Sequence, residues 1–431
     1  MREIGAGALA AALVAAFAAR LGAADWPQWR GPARTGVTTV PSGHPTGWPP
    51  KRLWEKNVGK GCTSPILAHG RLYVMGWEGN EKGGTDSVWC LEARTGKELW
   101  RRTYPVPYQG RVRAGDEGQY GGPSSTPAFD AETTYLYTLS VDGDLACWDT
   151  ARNGEPVWRM NLYDEYKVPQ RPDVGGGRRD YGFTSSPLIL GEAVVVEVGE
   201  GAGTVMAFDK KTGKRRWRSA CAEPAGHSGG PVPITLDGLP CLATLALSKL
   251  VILRTDPGHE GKTVAEHPWQ TDFACNIATP AVAGQAVLLT SNYNVGRTAL
   301  LEISGSGVRQ KWSTRDHAMV SSPVIHKGRV YFADARLSCL DLATGKTLWK
   351  GGNFEHGSCL VTGDDKILAF GNGALVLVDA AADKYRELAR MEEVVRGTCY
   401  PHVALSDGVV ACKDRDGSLV CFSAAEPAPG P

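Results

Sequence analysis

Apolar residues in this chain come in short bursts rather than on helical faces. From Lys51 to Phe422, short runs rich in Val, Ile, Leu, Tyr and Phe are separated by clusters of Gly, Asp, Thr and Lys. Bursts of that length, bounded by turn residues, mark strands. The stretch 321–349 shows the unit. Ser321, Ser322 and Pro323 open onto Val324 and Ile325, and Gly328 turns the chain into Val330, Tyr331 and Phe332. Cys339, Leu340 and Asp341 follow, and Gly345 turns the chain again into Thr347, Leu348 and Trp349. The spacing predicts four strands. Gly345 is expected at positive φ, which only glycine adopts without steric cost, with the Asp341 carboxylate accepting backbone N–H groups of the same turn.

The same punctuation recurs along the chain. A Ser/Thr-then-Pro opening stands at Pro65, Pro127, Pro187, Pro280, Pro323 and Pro401, with looser versions at Pro231 and near Cys359. Closings stand at Trp54, Trp100, Trp158, Trp217, Trp269, Trp312 and Trp349, with Leu388 in the matching place of the segment 384–389. Successive tryptophans lie 37 to 59 residues apart, the length of a four-stranded propeller blade. The first closing, Trp54, precedes every opening, and the last opening, Pro401, has no closing after it. The predicted fold is therefore an all-β, eight-bladed β-propeller of four-stranded antiparallel blades. Residues 52–58 are expected to pair as the outer strand of the last blade, which the C-terminus builds, so that no long edge is left free. A seven-bladed ring with residues 359–389 as an irregular insertion is the alternative.

The eleven-residue closing unit stands as Cys90 to Trp100, Ala207 to Trp217 and Cys339 to Trp349, and with one extra residue as Cys147 to Trp158. It begins with a small residue, has an acid third, Thr, Gly and Lys sixth to eighth in its cleanest copies, and Trp last. It resembles the tryptophan-docking repeat of the pyrroloquinoline-quinone (PQQ) propeller proteins, the quinoprotein alcohol dehydrogenase-like superfamily. In that family the indole packs between the small first residue and the Gly peptide of a neighbouring blade. Trp26, Trp29, Arg30, Gly31, Pro32, Gly36 and Val37 resemble the start of secreted bacterial proteins of this type, notably those of planctomycetes. The resemblance implies fold more than function, because one fold hosts many sites.

The ends of the chain change the picture of compartment. Residues 1–24 carry Arg2, an apolar alanine-rich run and Gly22, Ala23, Ala24, the pattern of a cleavable secretory signal. The run is short for a bilayer span. Asp25, not cysteine, follows the expected cut, so a periplasmic or secreted protein that is not a lipoprotein and has no transmembrane segment in the mature chain is expected. Residues 25–50 read as an ordered strap, 51–423 as the propeller and 424–431 as a disordered tail. Net charge is +1 over 431 residues. That neutrality argues against nucleic acid, which needs a positive field.

Candidate chemistry is sought in what differs between blades. Among eleven cysteines, Cys90, Cys147, Cys339 and Cys421 share one repeat position and read as small buried side chains, as does Cys412. Cys62, Cys275, Cys359 and Cys399 fall beside the start of an innermost strand, at the mouth of the central channel, and Cys359 with Cys399 is a candidate disulfide in an oxidising compartment. Tyr120, Tyr181, His227, Asn276, His317, His356, Tyr400 and His402 fall in similar places and are the candidate channel-mouth binding residues, since convergence of polar groups on the axis is how propellers build pockets. No local zinc spacing is present, and no metal site is expected. The long connections 101–124 and 159–184 carry Arg111, Arg113, Arg171, Arg178 and Arg179 among tyrosines, residue types that anchor interfaces. Asp142 with Asp144 and Asp414 with Asp416 read as hairpin turns rather than calcium loops.

No catalytic motif is assembled. The expected function is a noncatalytic extracytoplasmic binding or scaffold module, a monomer with a protein or polysaccharide partner in the cell envelope. In architecture it resembles the propeller subunit of the outer-membrane β-barrel assembly machine. No cofactor is expected. The alternative is a PQQ-dependent alcohol or sugar dehydrogenase, in which PQQ and calcium would accept hydride. Enzymes of that type carry an adjacent cysteine pair over the cofactor, and no two cysteines are adjacent here.

Overall fold

Every expected unit folds as one four-stranded antiparallel sheet, and eight such sheets close into a ring. The computed structural model describes residues 25–80, 83–107, 121–169, 180–305 and 307–424. Residues 1–24 and the last seven residues lie outside it, as do Tyr120, Arg111, Arg113, Arg171, Arg178 and Arg179. Blade 1 runs from Ile66–Ala68 to Glu98–Val106 and blade 6 from Val324–His326 to Thr347–Gly351. Blade 7 is complete, with strands Ser358–Val361, Lys366–Gly371, Ala374–Asp379 and Glu387–Met391. Lys51–Asn57 pairs with Ser418–Ser423 and puts Trp54 opposite Cys421, so both ends of the chain build blade 8. Among the described residues, no helix is long and apolar enough to cross a membrane.

One irregularity repeats in all eight blades: the register between third and fourth strands slips by one residue. Just before the slip, Trp100 faces Cys90, Trp158 faces Cys147, Trp217 faces Ala207 and Trp349 faces Cys339. The extra residue has no partner and turns outward. That is why Leu99, Val264 and Leu348 are three of the four exposed large hydrophobics. The register also corrects two expectations. In blade 4 Ala265, not Trp269, faces Ile252, and in blade 7 Ala389, not Leu388, faces Leu377. Trp269 lies past the end of its strand and donates its indole N–H to Ser291 Oγ, while Leu388 is the bulged residue.

Between blades, the indoles reach across. Trp54, Trp158 and Trp312 donate to the carbonyls of Ala93, Lys210 and Leu342 in the following blade, at 2.9, 3.1 and 2.9 Å. Each covers a glycine turn: a Cβ on Gly345, whose φ is +72°, would stand 2.4 Å from the Trp312 ring. Asp341 accepts from the Thr344 N–H at 2.8 Å, as its turn requires. Apolar clusters follow the same seams. Tyr73, Cys90 and Trp100 of blade 1 pack with Phe129, Leu136 and Trp148 of blade 2. Burial of each such large side chain stabilises the ring by roughly 1.5–3 kcal/mol. The Asp142–Asp144 and Asp414–Ser418 segments are hairpin turns, with Gly143 at φ +87° and Asp414 N–H bonded to the Ser418 carbonyl.

The strap touches all eight blades. Trp26 pairs with Leu67 of blade 1, and the Pro27 carbonyl accepts from Phe129 of blade 2. Arg34 donates to the carbonyls of Ser186 and Pro187 at the start of blade 3 and of Gly229 at the start of blade 4. Arg30 donates to the carbonyls of Pro280 and Pro323, ahead of blades 5 and 6. Gly36, Thr38 and Val40 bond to blade 7, and the Gly43 Cα lies against the Ala424 carbonyl at the end of blade 8. Both guanidiniums are buried, at 2% and 1% exposure. Desolvation pulls their pKa values down, to about 10 for Arg30 and about 9 for Arg34; both stay charged at neutral pH.

Candidate functional site

Because each innermost strand starts at the axis, the residues just ahead of the strands face one another there. Trp29 of the strap lies across this meeting place. Its N–H donates to Thr279 Oγ1 ahead of blade 5, its ring edge lies against Gly229 ahead of blade 4, and its face meets the His402 ring of blade 8 at 4.3 Å. Blades 4 and 8 are opposite members of the ring. The indole therefore spans the channel, and with Arg30 and Arg34 beyond it the channel is a blind pit. The pit holds about 870 Å³ counting space open to solvent, and Trp29, Cys62, Tyr181, His227, Tyr293, Met319, Ser322, Tyr400 and His402 are among its walls.

Four of the expected mouth residues are brought together here: Tyr181, His227, Tyr400 and His402. His227 is locked, its Nδ1 2.7 Å from the Ala274 carbonyl and its Nε2 accepting from the Tyr181 N–H. A carbonyl only accepts, so Nδ1 carries the proton. His402 is different. It is 7% exposed, its backbone N–H donates to Ser64 Oγ, and its ring has no hydrogen-bond partner among the described residues. Burial first, and the Arg30 charge second, push its pKa down to about 3, so the ring is neutral.

Other expected residues are placed elsewhere. Asn276 is fully buried and its amide donates to the carbonyls of Ala246, Leu247 and Trp269, tying off the end of blade 4. His317 turns aside to the Arg315 carbonyl and Asn292 Oδ1. His356 stands behind the wall, its ring stacked on Tyr400 at 5.4 Å. Neither Cys359 nor Cys399 is in a disulfide, and all eleven cysteines are free thiols. The candidate pair is corrected on geometry: Cys359 sits beside the Arg30 guanidinium, while Cys399 Sγ donates to the Gly397 carbonyl in its own turn. Of the four mouth cysteines only Cys62 lines the pit.

Every described residue of the pit wall is without formal charge at neutral pH. No group of three or more His, Cys, Asp or Glu able to hold a metal occurs among the described residues. This donor set does not fit PQQ with calcium, a ligand pair that calls for carboxylates at the ion and cationic partners for the quinone's carboxylates. Arg30, Arg34 and Lys413 stand behind the wall and turn N–H groups toward backbone carbonyls. Lys413 Nζ donates to the Gly61 and Asp414 carbonyls, and burial pulls its pKa down to about 8. Sequence reasoning missed Trp29 and the two strap arginines. Their only signal was a cluster of large residues in an otherwise turn-rich lead-in.

A family model described as outer membrane protein assembly factor BamB, a PQQ-repeat model, matches residues 84–351. The BamB of Xanthomonas campestris pv. campestris is 26% identical over 416 residues, covering 87% of this chain and 86% of that protein. The quinohemoprotein alcohol dehydrogenase ADH-IIG of Pseudomonas putida is 26% identical over 159 residues, 36% of this chain and 19% of that enzyme. The chain thus spans about a fifth of the length of the quinoprotein dehydrogenases it matches. Among solved structures, BamB from Moraxella catarrhalis superposes with a TM-score of 0.58 at 13% identity, covering 87% of this chain and 99% of that one. The quinohemoprotein alcohol dehydrogenase of Comamonas testosteroni does so at 0.63 and 16%, covering 98% and 85%. With eight closed blades, recurring closing units and a family match over more than half its length, the chain belongs to the PQQ-repeat family described as outer membrane protein assembly factor BamB.

Proposed function

We propose that this protein is a noncatalytic binding or scaffold module of the cell envelope, monomeric, with a protein or polysaccharide partner. We propose that residues 1–24 direct its export. One observation carries the reading: among the described residues the channel mouth is a blind, aromatic pit walled without formal charge, suited to holding a ligand. The match to an assembly factor along most of the chain supports an envelope partner. We propose further that no cofactor is needed. Purified protein is expected to show neither dye reduction with alcohols or sugars nor a rise in melting temperature when PQQ and calcium are added, since a tight ligand raises apparent stability. Turnover with added quinone would overturn the proposal. The second reading, a PQQ-dependent dehydrogenase, is favoured by the local similarity to ADH-IIG and would then replace it.

A further inference from the structure

We propose that the pit binds a single uncharged saccharide ring, lying on Trp29 and hydrogen-bonded by His402. The inference rests on the binding reading above and names the class of ligand.

The Trp29 N–H is committed to Thr279 Oγ1, so the indole presents only ring carbon to the pit. His227 has both nitrogens committed to backbone. His402 is the opposite: more than nine-tenths buried, in contact with Trp29, and with no ring hydrogen bond among the described residues. A neutral imidazole holds one donor and one acceptor, and the His402 nitrogens, which are not among the sealed unpartnered atoms, open to the pit where a ligand can bond them. Ser322 Oγ accepts from the Thr279 N–H and keeps its own hydrogen to donate.

Charge narrows the class. A cation would find no carboxylate in the described wall and would face Arg30, Arg34 and Lys413 behind it. An anion would find no cationic side chain in the described wall, because Arg30, Arg34 and Lys413 stand behind it and turn toward backbone carbonyls. What remains is a neutral molecule with one apolar face for the indole and hydroxyls that both give and accept. A pyranose has its C–H groups on one face and its hydroxyls at the edge, and it matches both requirements.

The test uses the full mature chain with glucose, N-acetylglucosamine, cellotriose and chitotriose as probes, followed by calorimetry and tryptophan fluorescence. Protonated glucosamine and gluconate are the charged counterparts. At least one neutral sugar is expected to bind and to shift Trp29 emission, with its charged counterpart weaker by about tenfold or more. His402→Phe is expected to weaken the neutral sugar by about tenfold or more with cooperative unfolding kept. Should His402→Phe fail to fold, Met319→Lys, at a half-exposed wall position, carries the test by placing a charge in the pit and abolishing binding. Absence of binding by every neutral probe to millimolar concentration, or tighter binding of the charged ones, overturns this inference alone. Quinone-dependent turnover would instead sink the binding reading on which it stands.

Discussion

The two ends of the central channel solve opposite problems. On the strap side the axis is filled with charge that is turned onto backbone: the terminal nitrogens of Arg30 and Arg34 donate to the carbonyls of Ser186, Pro187, Gly229, Pro280 and Pro323. On the open side the wall is neutral and aromatic, yet it holds a buried histidine whose ring is left without a partner. A buried polar group costs free energy unless paired. The first end is thus built to hold the ring shut, and the second keeps an imidazole open to the pit that a ligand can bond.

The sharpest way to break this contrast is Arg34→Met, which takes the Arg34 donors from the carbonyls of Ser186 and Pro187 and leaves Gly229 only the Ser186 N–H. A loss of about 3–5 kcal/mol is expected from urea unfolding; a change below about 1 kcal/mol would show that the strap is not part of the cooperative unit. His402 sharpens the other end through pH. Its folded pKa of about 3 lies below the ordinary 6.5, so the unfolded chain takes up the extra proton across that window. Its contribution to stability is therefore complete above pH 6.5 and is lost as pH falls toward 3. At pH 4.5 the cost is about 2–3 kcal/mol, and His402→Gln is expected to flatten the acid limb of the melting profile accordingly. A profile with unchanged slope would mean the ring is not buried neutral.

Gly345→Ala lies on neither end and serves as the control for the seams between blades. A Cβ at φ +72° and 2.4 Å from the Trp312 ring should cost about 1–3 kcal/mol in the same unfolding assay, with ligand binding at the pit unaffected. The smallest effect is expected from a reducing agent. All cysteines are free thiols, so the melting temperature should not move, and a fall on reduction would reveal a disulfide.

The blades were legible because each is a local unit: openings, glycine turns and closing tryptophans lie within one stretch of chain, and Asp341 and Gly345 do in space what their residue types announce. Even the closure was legible, from the order of Trp54 and Pro401 alone. The matching places in blades 4 and 7 were not, because a bulge shifts the count by one. There Trp269 and Leu388 drew attention that belonged to Ala265 and Ala389. At the mouth, residue type and position identified Tyr181, His227, Tyr400 and His402, but could not separate them from Asn276 and His317. Where a side chain turns depends on which carbonyl or amide lies beside it, and those neighbours come from other blades.

The chain by itself determined a ring of eight closed blades, because period-2 burial, positive-φ glycines and the order of openings and closings are local or countable. Tertiary structure alone decided what the ring encloses. A strap some hundreds of residues distant from the carbonyls it meets carries Trp29, Arg30 and Arg34 onto the axis, where they add donors to the strand starts that converge there. That convergence turned a through-channel into a pit whose described wall includes His402 with its ring open to a ligand.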